Sequence, residues 1–340
     1  MTLHFTADDV RALATEDVAM TAARAAIQAE SDGNALILPR IDMPTPRGFL
    51  RVMVGRFRNI GGIKTMSMTH GVGNRYLLTV YDLTDGDVLA ILDADEVTRL
   101  RTAATTAVAA DILIGKGSPT SLGVIGSGFE AAAHLRILAR QYPLTEARVF
   151  SSSPERRASF ATKMTRELGL LVEPAATPEE AVANMPLVCL ATKDTAPVVD
   201  GSAFAAGAVI LSIGSTRPDL RELDDVAFER SSVVLVDSVH NVIAESGDVQ
   251  SALASNAIGE SDLISMSEAI NGMPPGHAAG DLKLFKSVGT ALQDLALAAS
   301  IIEAADGRGR DLGELAVLKP AEGKAPALVT SIPAKNGDTL

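Results

Sequence analysis

Leu122-Gly123-Val124-Ile125-Gly126-Ser127-Gly128-Phe129-Glu130-Ala131 decides the fold. A short apolar run passes directly into G-x-G-x-x-A, and the helix-forming stretch Ala132–Arg140 follows. Strand, glycine turn and helix in that order form the dinucleotide-binding unit of an open parallel sheet. Gly126 permits the tight turn, Gly128 lets a pyrophosphate approach the backbone, and Ala131 keeps the helix close to the sheet. The helix N-terminus then turns its free N–H groups toward the anion, with Ser127, Phe129 and Glu130 in the same turn. Taken alone, the motif also suits a glycine turn in another α/β protein.

The flanking sequence supplies the rest of such a sheet. Apolar runs recur at Leu122–Ile125, Ala147–Phe150, Leu170–Val172, Leu187–Ala191, Ala208–Ile213 and Val233–Val236, separated by helical stretches. Strands that lack alternation and are spaced by helices predict a doubly wound parallel sheet over residues 118–283. Upstream, Thr6-x-x-Asp9 and Thr15-Glu16-Asp17 are helix starts, and Asp32-Gly33-Asn34 is a stop. Short β-rich runs follow at Ala35–Pro39, Phe49–Val54, Gly62–Met68, Tyr76–Leu83 and Val88–Leu92, the last two joined through Asp85-Gly86. They predict an antiparallel meander. An Ala-rich helix from Asp95 to Leu113, stopped by Gly115-Lys116-Gly117, closes a first region of residues 1–115. Leu284 to Ala305 reads as a long apolar-periodic helix, and 307–340 as a loosely packed C-terminal extension rich in Pro, Gly, Lys and Ala.

Composition narrows the function. The 340 residues are 47% apolar and 21% charged, the balance of an ordinary globular enzyme of about two domains. With 30 Lys and Arg against 42 Asp and Glu, the net charge is −12, which offers no positive field to nucleic acid or anionic lipid. One cysteine, Cys189 in an apolar run, excludes an internal disulfide framework. The first residues lack a basic and an apolar signal region, and no apolar stretch approaches the ~20 residues of a membrane span. A cytoplasmic protein without membrane or nucleic-acid partners is expected. His4, His70, His134, His240 and His277 form no close pair, so no metal site is expected. His70, after the third long strand run, reads as a loop histidine. There is no G-x-S-x-G for Ser-His-Asp hydrolysis.

The end of the second parallel strand selects the cofactor. An acid there would hold a ribose 2′-hydroxyl, whereas small hydroxyls and arginine suit a 2′-phosphate. The sequence is Val149-Phe150-Ser151-Ser152-Ser153-Pro154-Glu155-Arg156-Arg157. With no acid closing the strand, Ser151, Ser152, Ser153 and Arg156 or Arg157 favour NADP(H), and NAD(H) stays open. The alternative is that the arginines simply decorate the first turn of the next helix.

With these features in place, the sequence resembles the ornithine cyclodeaminase and mu-crystallin family over about residues 1–305. The resemblance rests on Thr98-x-x-Arg101-Thr102-Ala103-Ala104, Gly126-Ser127-Gly128-Phe129-Glu130-Ala131, Ser212-Ile213-Gly214-Ser215-x-x-Pro218-x-x-x-Glu222-Leu223-Asp224, Val236-Asp237-Ser238, Glu245-Ser246-Gly247-Asp248 and Leu284-Phe285-Lys286-Ser287-x-Gly289. It implies an α/β protein in which a Rossmann-type domain is inserted in a substrate-binding and dimerisation domain with an antiparallel sheet, completed by helix 284–305. It also implies a homodimer binding NAD or NADP, with Thr102, Thr192, Ser215, Ser287 and Gly289 among the cofactor contacts.

By the same resemblance the substrate pocket uses Arg40, Lys64 and Arg101. The chemistry agrees: two guanidinium forks can hold an α-carboxylate and an ammonium adds a movable proton, its pKa lowered by the arginines. Each alone also reads as an ordinary surface or strand residue. Thr216 is the informative departure, because true cyclodeaminases resembling this chain carry an aspartate there. Without that general base, the reading shifts toward the ketimine-reductase branch. Asp219, Glu222 and Asp224 read as a capped, solvated helix start, and Asn74, Arg75 and Thr79 as candidate pocket determinants. The sequence thus predicts an NAD(P)H-dependent reductase of cyclic or linear imines of α-keto acids, giving L-amino acids. The alternatives are an ornithine cyclodeaminase or L-amino-acid dehydrogenase, which product analysis separates, and an NADPH-dependent ligand-binding protein, which would bind cofactor without turnover.

Overall fold

Caps and glycines set the element boundaries. Thr6 and Thr15 cap the first two helices, Thr6 in a full capping box with Asp9, and Gly33 (φ 73°) follows the second. The computed structural model describes residues 2–274, 280–305 and 310–311. The first part runs β1 (Leu3–Phe5), α1 (Ala7–Leu13), α2 (Glu16–Ser31), β2 (Ala35–Ile37), β3 (Ile41–Thr45), β4 (Gly48–Phe57), β5 (Ile60–Thr69), β6 (Gly73–Asp82), β7 (Val88–Asp93) and α3 (Asp95–Ile114). The second runs β8 (Ser121–Ile125), α4 (Phe129–Gln141), β9 (Glu146–Phe150), α5 (Pro154–Leu168), β10 (Leu171–Pro174), α6 (Pro178–Val182), β11 (Leu187–Leu190) and β12 (Val209–Ser212). It continues through α7 (Asp225–Glu229), β13 (Ser231–Val236), α8 (Val239–Glu245), α9 (Gly247–Ala254), β14 (Leu263–Ser265), α10 (Met266–Ala269) and β15 (Leu282–Lys286). Helix α11 (Ala291–Glu303) and β16 (Arg310–Asp311) follow.

Two sheets result. The first has the order β16-β1-β7-β6-β5-β4-β2, with β3 also on β4, and β4 through β7 form the expected antiparallel meander. The second is wholly parallel in the order β10-β9-β8-β11-β12-β15-β13-β14. All six predicted parallel strands are present. The order reverses between β8 and β11, and ligands of such sheets bind beyond the strand C-termini at that point.

One expectation is overturned. Residues 282–286 do not belong to a helix but form β15, inserted between β12 and β13, and the helix begins only at Ala291. A strand buried on both faces loses its alternation, so a short apolar run joined to a real helix reads as one continuous helix. Strand β3, which contains Pro44, and the short β14 gave no distinct signal. Arg310–Asp311 pairs antiparallel with Leu3-His4, and the rest of the expected extension lies outside the described residues.

Helix α11 packs on the meander where glycines let it approach. A Cβ on Gly62 would lie 2.4 Å from Leu295 Cδ2, and one on Gly55 would lie 3.2 Å from the Ala291 Cβ. Cys189 is buried within β11. No helix among the described residues is long and apolar enough to cross a membrane.

Candidate active site

A cavity of about 640 Å³ lies between the meander and the C-terminal ends of the parallel strands. Arg40, Lys64 and Arg101 reach it from the first part of the chain, and Thr216 from the loop after β12. Thr102, Gly128, Phe129, Glu130, Thr192, Ser287 and Gly289 also line it, as does Asn74 but not Arg75 or Thr79.

Close packing of α11 carries Asp294 to Lys64. The Lys64 Nζ donates to Asp294 Oδ1 at 2.7 Å, and Arg101 Nε donates to the same oxygen at 3.0 Å. Lys64 is 2% exposed and Asp294 0%. Arg101 Nη1 donates to Gln293 Oε1 at 2.7 Å, and the Tyr76 ring lies 5.4 Å from the Lys64 ammonium. The Lys64 pKa falls to about 8, chiefly because burial penalises the ammonium. Asp294 opposes that fall, and Arg101 and Arg40 add to it. Burial is therefore a larger cause than the arginines named from the sequence.

Arg40 is held tightly. One Nη donates to Val288 O at 2.7 Å and Gly289 O at 2.8 Å and lies 2.5 Å from Glu245 Oε2. Burial lowers its pKa to about 10, and its Nε has no hydrogen-bond partner among the described residues. Asp237 grips the same loop from the other side, accepting from Ser287 Oγ at 2.6 Å and Gly289 N at 2.7 Å. Gly289 (φ 79°) is required twice over, since a Cβ there would also meet Arg101 Nη1 at 2.5 Å. Arg51 joins the lining with its guanidinium locked on Asp42 by bonds of 2.7 and 2.6 Å.

On the dinucleotide side, Gly126 has φ 122°, and a Cβ would sit 2.6 Å from Ala191 O. Gly128 is the N-cap of α4, which therefore has no side-chain cap, and nothing lies within 4 Å of its Cβ position. Ala131 is fully buried. An uncapped helix N-terminus beside an open glycine fits a pyrophosphate, so Gly128 and the first turn of α4 are the groups that would hold it. Ser127 Oγ donates to Ser151 Oγ at 2.9 Å, linking this turn to the end of β9.

Gly126, Ser127, Ser151–Ser153 and Arg156 lie outside the cavity lining. Ser153 caps α5 by accepting from Arg156 N, and Ser152 is exposed. Arg157 donates to Ser151 O at 3.1 Å and stacks on Phe150, while the exposed Arg156 guanidinium makes no hydrogen bond or ion pair among the described residues.

Several hydroxyls expected to meet the cofactor are engaged within the chain. Ser215 is fully buried, donates to Leu220 O at 2.7 Å and does not line the cavity. Thr102 donates to Thr98 O at 2.6 Å, and Thr192 gives both its N–H and its hydroxyl to Glu222 Oε1. Glu222 departs from the expectation of a solvated helix start. It is a fully buried bracket that also accepts from Ser212 Oγ and Gly214 N, with Lys286 and Asp248 beside it. Asp224 does cap its helix, and Asp219 pairs with Arg217 at the surface.

His70 is exposed and does not line the cavity, His134 is buried and held neutral with a pKa near 4, and His277 lies outside the described residues. No metal-binding cluster occurs among the described residues. Sequence reasoning missed Asp294, Gln293 and Arg51, and it placed Asp237 and Glu245 in shared motifs without giving them a role. The available signal was a polar pair, Gln293-Asp294, inside an otherwise apolar helix.

A parallel sheet with a dinucleotide cradle, facing a buried lysine across one cavity, defines an NAD(P)-dependent oxidoreductase. Residues 2–309 match the ornithine cyclodeaminase/mu-crystallin family, and the chain belongs to it. It is 31% identical to the ketimine reductase mu-crystallin of Mus musculus over 278 residues, 78% of this chain and 84% of that one. The structure of Thermococcus litoralis Δ1-pyrroline-2-carboxylate reductase in complex with NADH and L-proline superposes with a TM-score of 0.85 at 25% identity, covering 91% of this chain and all (100%) of that one. An archaeal alanine dehydrogenase dimer with bound NAD gives 0.84 at 26%, over 91% and 98%.

Proposed function

We propose that this chain reduces cyclic or linear imines of α-keto acids, of the Δ1-pyrroline-2-carboxylate type, to L-amino acids with NAD(P)H. The observation that carries the reading is the Lys64–Asp294–Arg101 triad on the cavity wall, two buried cations sharing one carboxylate. Its excess positive charge matches one substrate carboxylate. Arg101 has Nη2 left for that contact, since its Nε and Nη1 are engaged. Arg40 positions the Val288-Gly289 loop and presents a further buried cation.

A bound nicotinamide would supply the hydride. Lys64 supplies the proton: with a pKa of about 8 it is charged at neutral pH yet a good donor to an imine nitrogen. On giving up that proton it leaves Asp294 still paired with Arg101, so the site never strands a lone buried carboxylate. Burial of the triad excludes water and strengthens each contact. Thr216, in place of an acid, gives a cyclodeaminase no base. NADP(H) is the preferred cofactor, supported by the absence of an acid closing β9 and by the uncommitted Arg156.

The division into a dinucleotide-binding unit and a substrate and dimerisation unit belongs to the same reading, as does a homodimer. The outer face of the meander leaves Ile41 at 67%, Met43 at 54%, Leu36 at 49% and Leu77 at 46% exposure, an apolar surface suited to a second copy of the chain. Sedimentation of the wild type and of Ile41→Arg tests it: a dimer converted to monomer is expected, and a wild-type monomer refutes it.

The activity test is oxidation of NADPH and NADH with Δ1-pyrroline-2-carboxylate, Δ1-piperideine-2-carboxylate, and pyruvate or glyoxylate with ammonia or methylamine. Turnover of an imine, faster with NADPH, is expected. Ammonia release from ornithine with NAD and no imine turnover would establish a cyclodeaminase. Cofactor binding with no turnover would establish a ligand-binding protein.

A further inference from the structure

The cavity holds a second lysine that the mechanism above leaves unused. Lys193 follows β11, and its Nζ donates to Gly214 O at 2.9 Å and Thr216 Oγ1 at 3.3 Å. Every other basic side chain of the lining touches a carboxylate: Arg40 has Glu245, Arg51 has Asp42, Arg99 has Glu96, Arg217 has Asp219, and Lys64 and Arg101 share Asp294. Lys193 meets only neutral acceptors among the described residues. An ammonium has three donors, so one N–H of Lys193 has no acceptor among the described residues. Glu130 shares the lining, yet its only ion-pair contact among the described residues is His134 Nδ1 at 3.9 Å.

Thr216 sharpens the point. Its oxygen accepts from Lys193, so its own proton is free to be donated elsewhere, and a hydroxyl that accepts from a cation is a stronger donor. Lys193 and Thr216 therefore present adjacent donors and no acceptor charge. A cationic substrate side chain placed there meets repulsion, and an anionic one pairs with the one cation of the described lining that touches no carboxylate, Glu222 and Glu130 acting on it only from beyond ion-pair distance.

We propose that Lys193, with Thr216, is the side-chain specificity site, selecting imines of 2-oxo dicarboxylic acids and rejecting those with a basic side chain. This rests on the reductase reading and names the substrate class within it. The product is an acidic L-amino acid. The same arrangement gives position 216 its meaning: an aspartate there would pair with Lys193 and cancel the charge that selects the acid.

The test measures kcat/KM with NADPH for imines formed from ammonia with oxaloacetate, pyruvate and 5-guanidino-2-oxopentanoate. The wild type is expected to favour the oxaloacetate imine over the pyruvate imine by about 10-fold or more, with the guanidino imine poorest. Lys193→Met should cut the acidic-to-apolar ratio by about 10–100-fold, the worth of one hydrogen bond to a charged group. Lys193→Arg should restore much of it, which separates charge recognition from a folding defect. Thr216→Asp should lower the same ratio while improving the guanidino imine. The proposal is overturned by a wild type without acid preference, by equal loss on all imines in Lys193→Met, or by weakened NADPH binding in that variant, which would make Lys193 a cofactor contact. NADPH oxidation with none of the imines would instead sink the reductase reading, and this assignment with it.

Discussion

Asp294→Asn removes a charge and almost no volume, and it tests the whole electrostatic account. Asp294 accepts from Lys64 at 2.7 Å and from Arg101 at 3.0 Å, with no exposure of its own. It is the main influence holding the Lys64 pKa up at about 8 against burial and Arg101. An opposite charge at this distance is worth about 1–3 in pKa, so the asparagine variant should bring Lys64 to about 5–7. The sign follows from Lys64 acting as an acid. Its protonated form is active, so kcat/KM falls as pH rises through its pKa. In the wild type the fall lies near pH 8, and in Asp294→Asn it should move about 1–3 pH units toward acid. Lys64 escapes the lost partner by deprotonating, which caps the cost to stability there at about 1–3 kcal/mol rather than the roughly 3–5 kcal/mol of a broken buried pair. The assay is initial-rate NADPH oxidation across about pH 6–10 at saturating cofactor, with Lys64→Met showing any limb that belongs to the imine itself. An unmoved limb in Asp294→Asn, or a wild-type rate that rises through pH 8, would refute the assignment of Lys64 as proton donor.

Lys64→Met should lower kcat by about 10²–10⁴, the usual contribution of a positioned acid. Because it removes a buried ammonium while Arg101 keeps Asp294 paired, its thermal midpoint should match or exceed the wild type, and a large drop would argue for a structural lysine. Gly128→Ala has room for its Cβ in the protein, so calorimetry should find weaker cofactor binding with little change in melting. Gly126→Ala, by contrast, meets Ala191 O at 2.6 Å at φ 122° and should melt lower whether or not cofactor is present. Glu30 carries a pKa raised from 4.5 to about 7, by burial first and then by Asp237 and Glu268. A raised acid stabilises the fold below its unfolded pKa and loses that contribution as pH rises through about 7, so Glu30→Gln should melt higher than wild type at pH 8 and converge with it near pH 5. Identical pH dependence of melting in the two proteins would show that Glu30 is not strained.

The sequence by itself determined what is local. The strand, G-x-G-x-x-A and helix were readable because Gly126 must adopt a positive φ and Ala131 must pack flush, requirements written within ten residues. Helix caps at Thr6, Thr15 and Ser153 were readable for the same reason. Lys64 and Arg101 were legible as pocket residues, but only through motifs shared with a family. The tertiary structure decided which groups they work with. Asp294 stands 230 residues from Lys64 and 193 from Arg101, and no periodicity joins them. They meet because Gly62 lets α11 lie against the meander, and that approach is a property of packing. Packing likewise turned an apparent helix start into strand β15, buried Ser215 away from the cavity and made Glu222 an internal bracket. A polar residue's neighbours across the chain set whether it is solvated, paired or left with a donor to spare. Lys193, an ordinary lysine in sequence, acquires its meaning from the lack of a carboxylate beside it among the described residues.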